Sequence, residues 1–173
     1  VGATAFFDRR EVKDAIAYLR LLANPDADSA FERIVNVPPR GIGAATIEKL
    51  REQARASGLG LLAAAREARR GLGGLGPGPR KKLAGFVELI DGLVAVRDGG
   101  ATLAELLIQV VERSGYRDHV EHDDGDGPDR MRNLAELVNV ASDYNAEHGE
   151  DAKAAADDGD GPRDGDDGEA AAP

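Results

Sequence analysis

The sequence predicts an all-α fold of seven to eight helices, and three observations carry that prediction. Apolar residues recur at helical spacing through most of residues 8–147. Glycine and proline groups punctuate the intervals between those runs. Only one short stretch, Val1 to Phe7, reads as β-tolerant, and no partner strand for it exists in the chain.

Residues 1–7 therefore read as the end of a strand whose partners lie elsewhere. Asp8-Arg9-Arg10-Glu11 has the form of a capping box, an N-cap acceptor with Glu three residues on. Val12, Ala15, Ile16, Leu19 and Leu22 then mark the buried face of a helix that stops at Asn24-Pro25. Asp26 and Asp28 are candidate caps for a second helix through Phe31, Ile34 and Val35.

Pro38-Pro39 closes that element, since the residue before a proline is pushed away from the α region. Gly41-Ile42-Gly43 follows, and then Ile47, Leu50 and Ala54 at helical spacing to about Ser57-Gly58. The expectation is a helix-hairpin-helix-like element, in which the unpaired N–H groups opening the second helix face outward as an anion site. Gly41, Ile42 and Gly43 shape the hairpin and offer its N–H groups, and Arg40 is the charged partner. Thr46 adds a hydroxyl, and Lys49 and Arg51 add positive field. A sugar-phosphate backbone is the commonest array of phosphates such a site could meet.

Leu61 to Arg70 is Ala-rich and strongly helical. Gly71 to Pro79 is a flexible break. It fits G-x-G-x-x-G formally, but it follows a helix and runs into Pro77 and Pro79, whereas a dinucleotide fingerprint must follow a strand and open a helix. A helix from about Pro79 to Asp98 carries Leu83, Phe86, Val87, Ile90, Leu93 and Val94, with the basic cluster Arg80-Lys81-Lys82 at its start read as a solvated face. Thr102 caps a helix through Leu106, Leu107, Val110 and Val111. Gly115 breaks it, and Tyr116 to His122 adds a turn or two. After the acidic loop Asp123 to Pro128, the last helix runs from Arg130 to Glu147, with Met131, Leu134, Leu137, Val138, Ala141 and Tyr144 inward. From residue 149 Asp, Gly, Ala and Pro dominate, and the acidic tail 149–173 is expected to be disordered. The domain organisation is thus 1–7, 8–148 and 149–173.

The formal net charge of −10 conceals an asymmetry. Residues 1–122 carry 18 Lys and Arg against 16 Asp and Glu, and residues 123–173 carry 4 against 16. Residues 33–82 hold 11 basic and 3 acidic side chains, a basic centre compatible with nucleic acid. With no cysteine, disulfides and thiolate metal sites are excluded. No apolar run approaches a membrane span and no signal-peptide pattern opens the chain, so a cytoplasmic, nucleoid-associated location is expected. Val1 in place of Met is expected of a fragment or a processed chain.

No enzyme site emerges. His119, His122 and Asp123 lack a third ligand at metal spacing and read as surface residues. Asp124-Gly125-Asp126-Gly127 and Asp158-Gly159-Asp160-Gly161 suggest calcium loops, but Pro128 and Pro162 stand where oxygen ligands are needed. No G-x-x-x-x-G-K-[ST] loop is present to cradle a nucleoside triphosphate, so no catalytic residue, metal or cofactor is assigned to this chain.

Four segments taken together go further. They are Phe6 to Asp14, Ala17 to Pro25, Ala30 to Asn36 and Pro39 to Gly43, with Phe86-Val87-Glu88-Leu89-Ile90 and Asn133-Leu134-Ala135-Glu136-Leu137 following in order. In this the chain closely resembles the UvrD/PcrA/Rep DNA helicases of superfamily 1, over about residues 1–145 and most strongly over 5–50. The resemblance points to the helical insertion called subdomain 2B, entered from the second RecA-like lobe. It implies a parent that is an ATP-dependent 3′-to-5′ DNA helicase of unwinding, repair or replication, with ATP and Mg in the motor. Within it, this chain would be an accessory subdomain whose Gly-Ile-Gly hairpin meets double-stranded DNA backbone near a junction. The implied partners are that duplex, the helicase motor lobes and further proteins. The Walker motifs and arginine finger of the family lie outside these residues, so the chain alone carries no ATPase site. An alternative is a regulatory or protein-interaction module of the same helicase, with the acidic tail competing for the basic face.

Overall fold

The computed structural model describes residues 2–71, 73–123 and 125–157. Among them it is all-helical, with nine helices and no strand. In chain order these are α1 (Gly2–Phe7), α2 (Arg10–Ala23), α3 (Asp28–Ile34), α4 (Ala44–Ser57), α5 (Leu61–Arg69), α6 (Pro77–Asp98), α7 (Leu103–Arg113), α8 (Tyr116–Glu121) and α9 (Gly127–Asp157).

The expected strand at residues 1–7 is instead α1. A strand without a partner leaves its backbone donors and acceptors unpaired, whereas a helical turn pairs them internally. Docking supplies the rest, because Phe6 is buried against Val12 and the C-terminal helices while Phe7 stays outside. At the other end α9 begins at Gly127 and passes through the expected boundary at 148 to Asp157. Alanines 152, 154, 155 and 156, which carry the highest helix propensity, account for the continuation. The acidic tail beyond Asp157 lies outside the described residues. Tyr144, expected inward, is 54% exposed and stacks on His148 at 4.4 Å one turn later.

Two hydrophobic cores organise the helices. The first collects one face of α2 with α3, α4, α5, α6 and one strip of α7 around Phe31 and Phe86, whose rings meet edge to face at 5.4 Å. Each such ring, fully buried, contributes about 1.5–3 kcal/mol over an exposed one. Ala64, Ala65 and Ala68 present α5 to this core with no exposed surface, and their small size lets its backbone lie close to its neighbours. Leu75, in the Gly71–Pro79 break, is also buried there, so that segment is anchored at its middle.

The second core gathers α1, the start of α2, α8 and α9 around Val12, Tyr116 and Val120, with Leu107 and Val111 of α7. The doublets Leu106-Leu107 and Val110-Val111 thus give α7 two adjacent apolar strips, one for each core. Buried charge reinforces the seam. The Asp14 carboxylate, 2% exposed, accepts from Arg33 Nε at 2.9 Å and from Tyr116 Oη at 2.7 Å, tying α2 to α3 and α8. Glu11, 4% exposed, accepts from Asn133 Nδ2 at 2.6 Å and lies 3.6 Å from Arg130 Nε. Pairing of this kind is what makes carboxylates tolerable in a low-dielectric interior.

This inward turn of Glu11 explains why the capping box expected at Asp8–Glu11 does not form. The N-cap of α2 is Arg9, without a side-chain cap, and Asp8 pairs with Lys13 at 3.1 Å. Thr102 does cap α7: its hydroxyl accepts from Glu105 N at 3.2 Å, and the Glu105 carboxylate accepts from Thr102 N at 2.7 Å.

Candidate nucleic-acid interface

The hairpin joins α3 to α4, and its conformation is set from behind. Asn36 Oδ1 accepts from Arg40 N at 2.7 Å and from Ile42 N at 3.2 Å, folding the loop around one side-chain oxygen. Ile42, 3% exposed, is driven into the first core and pins the tip. Gly41 adopts φ +69°, the left-handed region where a Cβ is strained.

Gly43 poses a different question. Its φ is −80° and ψ 169°, open to any residue, and a Cβ there would meet nothing within 4 Å. The protein itself therefore gives no steric reason for glycine at this N-cap. Ser, Thr, Asp or Asn would be favoured there, since their side chains accept from the first turn's N–H groups. Gly43 lacks such an acceptor, and the N–H groups of Ala44 and Ala45 have no hydrogen-bond partner among the described residues. The mouth of a 14-residue helix, with the positive end of its dipole, is left open to solvent.

The other expected site residues divide. Thr46 is half-buried in the first turn, with its N–H on Gly43 O at 3.0 Å, and Lys49 is exposed one turn on. Arg51 is held by Glu32 at 2.7 Å and Glu48 at 2.8 Å, which offset its charge locally. Those hydrogen bonds raise the Arg51 pKa and hold the Glu32 carboxyl below the usual range.

Arg40 faces inward. Its Nη1 donates to the carbonyls of Ile34 at 2.9 Å and Val35 at 3.3 Å, and its Nη2 to Tyr18 Oη at 2.8 Å and Ser114 O at 3.2 Å. The guanidinium also lies over the Phe86 ring, 5.3 Å from its centroid. Burial pushes the Tyr18 hydroxyl above its ordinary pKa, against the lowering effect of Arg40.

Two residues at the hairpin were not assigned from the sequence. Asn36 is one. The other is Lys82, read as part of a solvated cluster, whose Nζ donates to Gly41 O at 3.1 Å across 41 positions of chain. Tertiary packing brings the start of α6 to the hairpin, and sequence spacing holds no trace of that. One sign was readable nonetheless: Arg80, Lys81 and Lys82 stand in the first turns of α6, where no acidic residue accompanies them and the helix dipole disfavours cations.

The histidines expected at the surface do ordinary structural work. His119 packs edge-on to Tyr116, and the His122 ring bonds Asp118 O at 2.7 Å. Among the described residues no cluster of three His, Cys, Asp or Glu could hold a metal ion, and no helix is long and apolar enough to cross a membrane.

The hairpin thus presents an uncapped helix mouth at the surface of an all-helical domain. The family model for the UvrD-like helicase C-terminal domain matches residues 1–70, which hold α1 to α5 and the hairpin. The chain is 34% identical over 145 residues to the ATP-dependent DNA helicase PcrA of Bacillus subtilis (strain 168), covering 83% of this chain and 19% of that protein. It is 33% identical over the same length to the PcrA proteins of Staphylococcus epidermidis and Staphylococcus aureus, covering 83% of this chain and 20% of each. These matches support assignment of the chain to the UvrD/PcrA superfamily. The chain spans about a fifth of the length of the curated relatives it matches.

Proposed function

We propose that this domain is the 2B-like accessory subdomain of an ATP-dependent DNA helicase and that it grips the backbone of double-stranded DNA near a junction. The observation that carries the reading is Gly43. It is an N-cap with room and torsion angles for a side chain, yet nothing there competes for the open N–H groups of α4. A phosphate oxygen is the acceptor that such a helix mouth favours. Gly41 and Ile42 would hold the loop in shape, with Thr46 and Lys49 beside the phosphate and Arg51 contributing less, because Glu32 and Glu48 already occupy it.

Contacts of this kind position a duplex without selecting a sequence, so binding should be weak and steeply salt-dependent. The motor lobes, ATP and Mg belong to the proposed parent protein. The residues here do not fit the nucleotide, since the chain has no phosphate-cradling G-x-x-x-x-G-K-[ST] loop, and no step is assigned to it.

The test is fluorescence anisotropy of the chain with a labelled duplex and a labelled single strand across a salt series, with Gly43→Asp alongside. The aspartate caps the helix internally and places a negative charge where phosphate would sit. The expected result is preferential duplex binding in the native chain and its loss in Gly43→Asp, with thermal stability equal or higher. Equal binding by the variant, or none by the native chain at low salt, would overturn the reading and turn attention to a protein-interaction role.

A further inference from the structure

We infer that Lys82, carried on α6, is the cation that meets phosphate at the hairpin, and that Arg40 serves the same site only as a positioning residue. The inference rests on the duplex-backbone reading above and names the residue that supplies its charge.

Four cations could serve the hairpin; Lys49 is exposed one turn into α4 and makes no hydrogen bond to the loop among the described residues, and the surroundings of the other three separate them. Arg40 has its guanidinium committed to Tyr18 Oη and three backbone carbonyls, over the Phe86 face. To reach a phosphate it would abandon all of these and leave acceptors of the half-buried loop unpaired, a cost paid again at every binding event. Arg51 is already shared between Glu32 and Glu48, so a phosphate there must displace two carboxylates. Lys82 is exposed and makes no ion pair among the described residues.

Among the described residues its one hydrogen-bond partner is Gly41 O, a neutral carbonyl at 3.1 Å. That contact does two things. It holds the ammonium on the hairpin, so closely that a Cβ on Gly41 would fall 2.9 Å from Nζ. It also covers carbonyl lone pairs that would otherwise repel an approaching anion. A phosphate oxygen makes a charge-assisted bond, which is stronger than the carbonyl's, so Lys82 can transfer to the ligand or bridge both acceptors. The position of Lys82 near the start of α6, against that helix's own dipole, is unfavourable within the isolated domain and becomes favourable beside an anion.

The salt dependence of duplex binding separates charge from positioning, because its slope counts phosphates neutralised. In the anisotropy series above, Lys82→Gln should reduce the slope by about 0.9, the value for one phosphate contact, and leave the thermal midpoint unchanged. Lys82→Arg should restore the slope. Arg40→Gln should weaken binding and lower the thermal midpoint with the slope unaltered. An unaltered slope in Lys82→Gln, or a slope reduced by one contact in Arg40→Gln, overturns the inference. If Gly43→Asp abolishes binding while Lys82→Gln keeps the full slope, the inference fails and the duplex reading stands. If Gly43→Asp binds like the native chain, both fall. Lys82 lies on the surface, so the outcome does not depend on whether Arg40→Gln folds.

Discussion

Arg40 Nη2 donates to Tyr18 Oη at 2.8 Å, and the Tyr18 hydroxyl in turn donates to Val37 O at 2.9 Å. One phenol, with no exposed surface, thus holds both the start of the loop and the side chain that follows the two prolines. The hairpin is fastened to α2 rather than merely packed beside it.

Tyr18→Phe removes that hydroxyl and nothing else. Arg40 loses one acceptor and Val37 O its donor, so a loss of about 1–3 kcal/mol is expected in urea or guanidinium unfolding. The same variant should respond differently to alkali. Burial raises the Tyr18 and Tyr116 hydroxyls above the ordinary value of 10.0, so each contributes stability that is full below pH 10 and declines as pH rises through the folded value. Stability measured from pH 8 to 11 should fall less steeply in Tyr18→Phe than in the native chain.

Asp28 should matter to a helix other than its own. Its Oδ1 accepts from Leu61 N at 2.8 Å, so it caps α5, whose own N-cap is Gly60 and has no side chain. Asp28→Ala should cost about 1 kcal/mol. Amide exchange at Leu61 should quicken while the amides of α3 are little changed, and faster exchange confined to α3 would contradict the assignment.

The Thr102–Glu105 capping box should lose its carboxylate half in acid. Hydrogen bonds from the Thr102 backbone N–H, and then from its hydroxyl, hold the Glu105 carboxyl below its usual 4.5. Its contribution is therefore present above that value and lost as pH falls through the lower, folded one. Thr102→Ala should melt earlier than the native chain at pH 7, and the difference should narrow in acid without vanishing, because the Thr102 hydroxyl still accepts from Glu105 N.

The helical architecture was legible because each long helix carries an apolar stripe of period 3.6 between glycine or proline stops. Leu83, Phe86, Val87, Ile90 and Leu93 are all buried as that period requires. Four of the missed points share a physical origin, since each depends on a partner far away in sequence. Phe6 makes α1 a helix by docking on a core completed more than a hundred residues later. Glu11 leaves its expected cap for Asn133, Asp28 caps α5 in place of α3, and Lys82 reaches Gly41. The hairpin's glycines were visible as local punctuation, but Asn36, which holds the loop through two N–H groups, looks like any loop asparagine until the backbone is seen to wrap around it.

The two strips of α7 have a consequence for how the molecule comes apart. Helices α2 and α7 face both cores, whereas α5 faces only the first, and α1, α8 and α9 only the second. Opening can then proceed by peeling α9, with α1 and α8, from a remaining body that keeps Ile42 and Phe86 enclosed. Protection against exchange should accordingly fall into two tiers, a lower one for α9 and a higher one for α2, α6 and the residues around the hairpin. The segment that carries the loop is the last to let go.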